Sequence, residues 1–316
     1  MHDFLASMAV DQQIDQGATV ASGDGDALQT DSMSARINWA TPQAYSTAGA
    51  PTNGADYVQL SDGNLSFDGA SSFPSSPTEW TADGDRLYSG QGDNLDRGIA
   101  RQVTIPAGNP TITVGLEYQT ELAWDFAFVQ VFDETTGEWV SLENANTTFV
   151  ADPQADPAVV ANLPGFTGSS GGITEQTFDM SAYAGDEISL AVRYITDASV
   201  VEPGVWLSSL SVGGVDVADA TELSAWESLS QSHPTPIGGW TVQLVGWNDS
   251  EVSVVSLPVT AGNGWTADGD VSDLLGIDPT FAGAIVTVDD PSELITQYGR
   301  YQLSLDGVLQ DGGRRG

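Results

Sequence analysis

Glu121 and Asp125 flank Trp124 at the mouth of an alternating apolar run, in ELAWDFAFVQVFDETTGEWVSL (121–142). Asp93, Asn94 and Asp96 sit in a glycine-flanked turn, and Asp197 follows Thr196 at the end of another apolar run. Carboxylates that converge from loops are what a hard cation needs, since calcium takes about six to eight oxygen ligands. Asp93, Asp96, Glu121, Asp125 and Asp197 are therefore the candidate ligands of a structural Ca²⁺. Two other readings stay open. In a chain with 44 acidic residues several will cluster by chance, and two carboxylates facing each other can also serve as a glycosidase pair.

Nine tryptophans raise the question of stacking on sugar rings. Trp124, Trp139 and Trp206 alternate with apolar residues inside expected strands and are expected in the core. Trp39, Trp80 and Trp265 lie in the polar contexts NWAT, EWTA and GWTA and are the candidates for exposed aromatic platforms. Asn64, Asn146 and Asn248 begin Asn-x-Ser/Thr triplets, which would accept glycans if the host exports and glycosylates the chain.

The elements that must position these groups read as β-structure. Short alternating runs recur at 101–105, 111–118, 125–132, 138–142, 187–195 and 204–212, separated by Gly, Asp, Asn and Pro. Many short strands divided by turn signals predict an all-β jelly-roll sandwich over 56–217 rather than a βαβ sheet. Residues 147–172 form a long loop, which at that length is functional or wraps an edge. Polar residues 218–238 read as a linker. A second, smaller β-sandwich is expected over 239–310, from the runs 239–247, 252–259, 283–290 and 300–307. Before the first sandwich, residues 3–15 show helical spacing and 17–55 are small and polar, so 1–55 reads as a short N-terminal helix with an irregular linker. The tail 311–316 is expected to be disordered.

Charge narrows the partners. The 316 residues carry a formal charge of −36; all eight basic residues are arginine. Such a field repels nucleic acid and anionic membranes. Its self-repulsion would be screened by salt, within about 10 Å at 0.1 M and about 3 Å at 1 M, so a high-salt habitat is expected; the alternative is an acidic secreted protein from a GC-rich genome. The absence of cysteine excludes disulfides and thiolate metal sites. No run of about 18 apolar residues predicts a membrane span. The start, MHDFLASMAVDQQIDQ, lacks a basic region and an apolar core and does not read as a signal peptide; if the protein is secreted, the export signal is expected on a longer precursor.

YSGQGDNLDRGIARQVTIP (88–106), ELAWDFAFVQVF with EWVSL, and FDMSAYAGDEISLAVRYITDASVVEPGVWLSSLSV (178–212), in that order, resemble the region that follows the catalytic domain in immune inhibitor A-like, M6-type secreted zinc metallopeptidases. The second β unit resembles the small sandwich that follows it in many members. The resemblance covers about residues 57–307. It implies a jelly roll of the MAM and laminin-G kind, an extracellular setting, and an accessory role beside a peptidase domain, toward a protein or glycan surface. It also implies that a calcium ion can tie the terminal strands.

The chain departs from that family in two places. Its peptidase motif, H-E-x-x-H, sets two histidines on one helical face to hold zinc. Here His2 is followed by DFLA, and His233 lies in SHPTP. No zinc and no catalysis are expected on this chain, and His233 is expected to be a solvent-exposed linker residue. The second departure is Ser208-Ser209-Leu210, where the family carries two aspartates that could be ligands. The leading expectation is a non-catalytic accessory region of such a peptidase. The alternative is a stand-alone extracellular carbohydrate- or surface-binding module.

Overall fold

The structure is a computed structural model, and it describes Ala6, residues 19–21 and 27–29, Trp39, and residues 49–259, 264–290, 295 and 297–310. The expected helix at 3–15, Ala6 apart, and the expected tail at 311–316 lie outside the described residues. Among those described, no helix is long and apolar enough to cross a membrane.

The chain forms two compact units. One is residues 75–234, and the other is built from 1–74 together with 235–316. In 75–234 a five-stranded sheet runs in the order Glu138–Ser141, Phe126–Asp133, Glu187–Ile195, Asp96–Thr104, Glu227–Ser228. The second sheet runs Thr174–Asp179, Thr111–Gln119, Gly204–Val212, Arg86–Tyr88, Thr81–Asp83, with Val215–Asp216 added beside Gly204–Val212. All pairings are antiparallel. The chain passes back and forth between the sheets, which makes the jelly roll that the alternating runs predict. One core draws on both inner faces, with Ile99, Val129, Leu190 and Val192 from the five-stranded sheet meeting Ile112, Val114, Leu116 and Leu207 from the other. The period of two along each strand is what places these side chains on one face.

The remaining unit is also all-β. One sheet runs Val252–Ser256, Trp240–Trp247, Phe281–Val288, Asp56–Leu60, and the other Gly264–Asp270, Asn64–Gly69, Tyr301–Leu305, Val308–Leu309. Val58, Leu65 and Phe67 thus share a core with Val242, Leu244, Val286 and Leu303. This corrects the expected boundaries. Residues 56–74 complete the second sandwich rather than opening the first, because Asp56–Leu60 and Asn64–Gly69 find their partners about 200 positions later, a pairing that local patterning cannot show. The jelly roll is therefore an insertion. Its host unit pins both crossings, through Phe73 N donating to Thr235 O at 2.9 Å, and the insert ties its own ends, through Ser228 Oγ donating to Ser76 O at 2.6 Å.

The polar stretch 218–238 is likewise not a free linker. Glu227–Ser228 pairs with Asp96–Thr104 at the sheet edge, and Trp226 is buried in the jelly-roll core. A short helix, Leu229–Ser232, follows a capping box made by Ser228 and Gln231.

Candidate metal centre

Three connections between the two sheets meet at one end of the jelly roll. Residues 89–95 lead from Arg86–Tyr88 to Asp96–Thr104, residues 120–125 from Thr111–Gln119 to Phe126–Asp133, and residues 196–203 from Glu187–Ile195 to Gly204–Val212. Each carries part of the acidic motif read from the sequence.

The middle connection is a tight turn. Trp124 N and Asp125 N both donate to Glu121 O, at 3.2 and 3.0 Å, and Ala123 takes a left-handed φ of 69°. The long loop 147–172 pins this turn. Thr167 Oγ1 donates to Glu121 O and accepts from Ala123 N, Thr120 Oγ1 donates to Asp125 O and accepts from Gly168 N, and Asp152 N donates to Ala123 O. The other two connections are stitched together by Thr196, whose Oγ1 accepts from Leu95 N at 2.8 Å and donates to Gly92 O at 3.0 Å, and by Asn94 N donating to Asp197 O. Gly204 closes the last connection at φ 100°, where a Cβ would meet Gly90 O at 2.4 Å; only glycine fits there.

This framework brings Glu121, Asp125 and Asp197 together, with one carboxylate oxygen of each within 4.8 Å of the others. Asp125 is 1 % exposed, and its Oδ1 accepts from Asp197 N at 3.0 Å. Burial pushes its carboxyl up to about 6; the charges of Asp197 and Glu121 push the same way, while backbone hydrogen bonds from Asp197 and Glu121 oppose. Glu121 is raised too, first by desolvation and then by Asp197 and Glu202. Its Oε2 is buried without a hydrogen-bond partner. Among the described residues no arginine pairs with these three carboxylates. Like charges gathered out of water raise one another's pKa unless a cation neutralises them, so this donor set fits a hard divalent ion: all oxygen, partly buried, and unpaired.

Two of the five expected ligands stand apart. Asp96 points along the five-stranded sheet into a bidentate ion pair with Arg193, at 2.6 Å to both Nε and Nη2. Asp93 is exposed and outside the convergent group. Their closeness to the site in sequence reflects the turn they share, not a shared direction. The Ser208-Ser209 departure also falls elsewhere. Ser209 pairs with Gly115, whereas Gly204 pairs with Gln119 at the site's end, about 13 Å away at four residues of strand rise. Glu202, which lies in the same connection as Asp197 but outside the convergent group, adds to the charge that raises the Glu121 carboxyl.

The tryptophans reverse their expected places. Trp80 is 1 % exposed and packs in the jelly-roll core, with Nε1 donating to Arg97 O. Trp39 is 6 % exposed and meets Tyr57 and Phe281 edge-on. Neither is an open platform; each has folded inward to cover apolar surface that the polar residues around it cannot. Trp124, Trp139 and Trp206 are half-exposed rather than core. Trp206 points away from the core, stacked on Tyr88 at 4.7 Å with Arg86 over its ring. The side chain of Trp265 lies outside the described residues.

His233 is not a free linker residue. It caps the Leu229–Ser232 helix and stacks on Phe132 at 3.7 Å, with Trp139 edge-on. Its Nε2 lies 3.4 Å from Ser189 Oγ and 3.5 Å from Glu134 Oε1. His2 lies outside the described residues. Of the glycan-acceptor candidates, Asn64 and Asn146 are exposed and Asn248 is half-buried. Each amide nitrogen donates within the protein, to Asp306, Gln176 and Asp278 O respectively.

Residues 75–234 are thus an antiparallel jelly roll with three carboxylates gathered where its sheet connections meet. Residues 77–225 match the family model of the immune inhibitor A-like MAM domain, so this part of the chain is similar to that domain. The chain is 30% identical over 153 residues to the pre-pro-metalloprotease PrtV of Vibrio cholerae serotype O1, in strains M66-2 and ATCC 39315 / El Tor Inaba N16961. That match covers 46% of this chain and 16% of each relative, so it spans only a small part of their length. Among solved structures, a mutant VP2 protein of infectious bursal disease virus aligns at 9% identity with a TM-score of 0.18, over 89% of this chain and 73% of that one, a likeness too slight to carry an argument.

Proposed function

We propose that this chain is the non-catalytic accessory region of a secreted, immune inhibitor A-like metallopeptidase, and that a calcium ion staples the loop end of its MAM sandwich. The single observation that carries the reading is the convergence of Glu121, Asp125 and Asp197 inside the segment that matches the MAM family model. A third carboxylate and the near-complete burial of Asp125 favour a cation over a glycosidase pair. Glu121 and Asp125 lie on one connection between the sheets and Asp197 on another, so an ion held by all three would cross-link the two sheets where hydrogen bonds between strands run out. The accessory role is supported by the similarity to part of a metalloprotease, together with a sequence that has no H-E-x-x-H. The peptidase domain would be the partner, with a protein or glycan surface as the further contact. The setting is extracellular, and the charge of −36 with no lysine suits high salt.

The test is a thermal melt of the full chain in high KCl, with millimolar CaCl₂ against excess chelator. An ion that binds only the folded state stabilises by RT ln(1 + [L]/Kd), about 2.7 kcal/mol at 100-fold excess over Kd. That corresponds to a shift of several degrees. Asp125→Asn should remove the shift, and Asp152→Asn should keep it. A wild-type midpoint indifferent to calcium would overturn the metal reading.

A further inference from the structure

The loops that gather the carboxylates also carry apolar side chains that the fold leaves uncovered. Leu122 follows Glu121 on the middle connection, Val200 and Val201 stand shortly after Asp197 on another, and Phe149 and Val150 lie in the long loop. All five are between 49 and 70 % exposed. Backbone contacts set them at one end. Asp152 N donates to Ala123 O at 2.9 Å, which brings the stretch after Val150 against the residue after Leu122. Leu122 Cδ1 lies 3.2 Å from where a Cβ on Gly168 would stand. Asp197 N donates to Asp125 Oδ1 at 3.0 Å, which joins the connection of Val200 to that of Leu122. Single apolar residues on a surface are ordinary, but a gathered group marks an interaction surface.

Val200 adds an independent observation. Its φ is 65°, in the left-handed region that a β-branched residue rarely enters. The connection around it is held on both sides, by Ser199 N donating to Asp197 Oδ1 at 2.9 Å and by Tyr88 Oη donating to Pro203 O at 2.7 Å. A valine there is strained and also uncovered. Strain of this kind persists where the surrounding structure imposes it, and it concentrates at ligand clamps and switch regions.

Charge sets the chemistry of the partner. Asp93 and Glu202 lie on connections at this end, outside the convergent carboxylates, and among the described residues no arginine pairs with them. An acidic surface with apolar tips complements basic residues set among aliphatic ones. It disfavours a second copy of this acidic chain and an anionic membrane. We propose that the loop end of the jelly roll is a docking surface for a protein segment that carries arginine or lysine between aliphatic side chains, with Leu122, Val200 and Val201 as its apolar anchors. This extends the accessory reading above to the chemistry of the partner, and it does not depend on an ion at the carboxylates.

The probe is a short fluorescent peptide of alternating leucine and arginine, titrated with the full chain in moderate KCl, once in chelator and once in CaCl₂. Peptides of the same length, alternating glycine with arginine and leucine with glutamate, separate charge from apolar contact. The leucine–arginine peptide should bind tightest. Leu122→Ser and Val200→Asn should each weaken it about tenfold, the effect of losing one buried aliphatic side chain, and should leave the glycine–arginine peptide unaffected. Val140→Ser, on an exposed valine of strand Glu138–Ser141 away from this end, should change neither. Val200→Asn should melt at or above the wild-type midpoint, since asparagine tolerates the left-handed region. A lowered midpoint would show that Val200 serves the fold, and would overturn its place as an anchor. Equal affinity of wild type, Leu122→Ser and Val200→Asn for the leucine–arginine peptide would overturn the proposal, as would either control peptide binding as tightly. A dimer in sedimentation that Leu122→Ser abolishes would assign the face to a second copy, and flotation with phosphatidylcholine vesicles that it abolishes would assign the face to lipid; either would overturn the basic partner. All these results leave the calcium and accessory readings standing, since neither rests on these side chains.

Discussion

The phenol of Tyr301 donates its hydrogen bond to Asp56 Oδ2 across 245 positions of sequence, and both side chains are buried. Asp56 opens one sheet of the host unit and Tyr301 lies in the other, with Phe67 and Trp240 packed on the tyrosine ring. The pair is a polar tie through an apolar core.

Removing the donor should therefore cost more than a hydrogen bond. Tyr301→Phe leaves a buried carboxylate without its hydroxyl, and the host unit should lose about 2–4 kcal/mol. Urea denaturation measures it. A loss below 1 kcal/mol would mean that other groups or water satisfy Asp56.

The same carboxylate gives a pH dependence. Burial raises the Asp56 pKa above its ordinary 3.8, against the hydrogen bonds from Tyr301 and the Tyr57 backbone, which lower it. The folded chain then holds this proton more tightly than the unfolded chain. Stability from this group is greatest in acid and falls as pH rises from about 4 through the raised folded value. Asp56→Asn should flatten that part of the profile relative to wild type, and the comparison cancels the other carboxylates. Parallel profiles for the two proteins would show that Asp56 ionises alike in both states.

The reversed tryptophans predict a reversed ranking of damage. Trp80→Ala empties a filled core position and should cost about 3–5 kcal/mol. Trp206→Ala removes a surface stack on Tyr88 and should cost about 1–2 kcal/mol. Denaturation of the two variants side by side decides it; equal losses would show that the Trp206 stack is worth as much as a core tryptophan.

Self-repulsion among the acidic groups should be visible in salt. Raising KCl from about 0.1 M to about 2 M shortens the screening length severalfold and should raise the melting midpoint, with NaCl matching KCl. A midpoint that stays put would mean the carboxylates are already well solvated or neutralised.

Much of this was legible in the sequence where structure is local. The alternation in 111–118 and 187–195 marked the strands, and the order of the motifs marked the jelly roll. The convergence of Glu121, Asp125 and Asp197 was legible because each sits at a strand end. Direction was not: Asp96 is two residues past Asn94 but turns to Arg193, and only the pleat decides that. Nor was burial of an isolated aromatic in a polar stretch, as Trp80 shows, because what covers it comes from elsewhere in the chain. The partners of Asp56–Leu60 were hidden for the same reason, being separated from it by the whole inserted domain.

That insertion also dictates an order of assembly. A chain made from its N-terminus presents Asp56 long before Tyr301 exists; at about 5–20 residues per second the wait is ~10–50 s. Residues 75–234 meet no such delay, since every strand they need lies within them. Once folded, the bond between Ser228 and Ser76 holds their two ends together. The host's strands then close across a short bridge instead of a loop of about 160 residues, easing closure by about 3 kcal/mol. The molecule is built from the inside outward: the guest sandwich is the template, and the host that surrounds it in sequence is the last part to form.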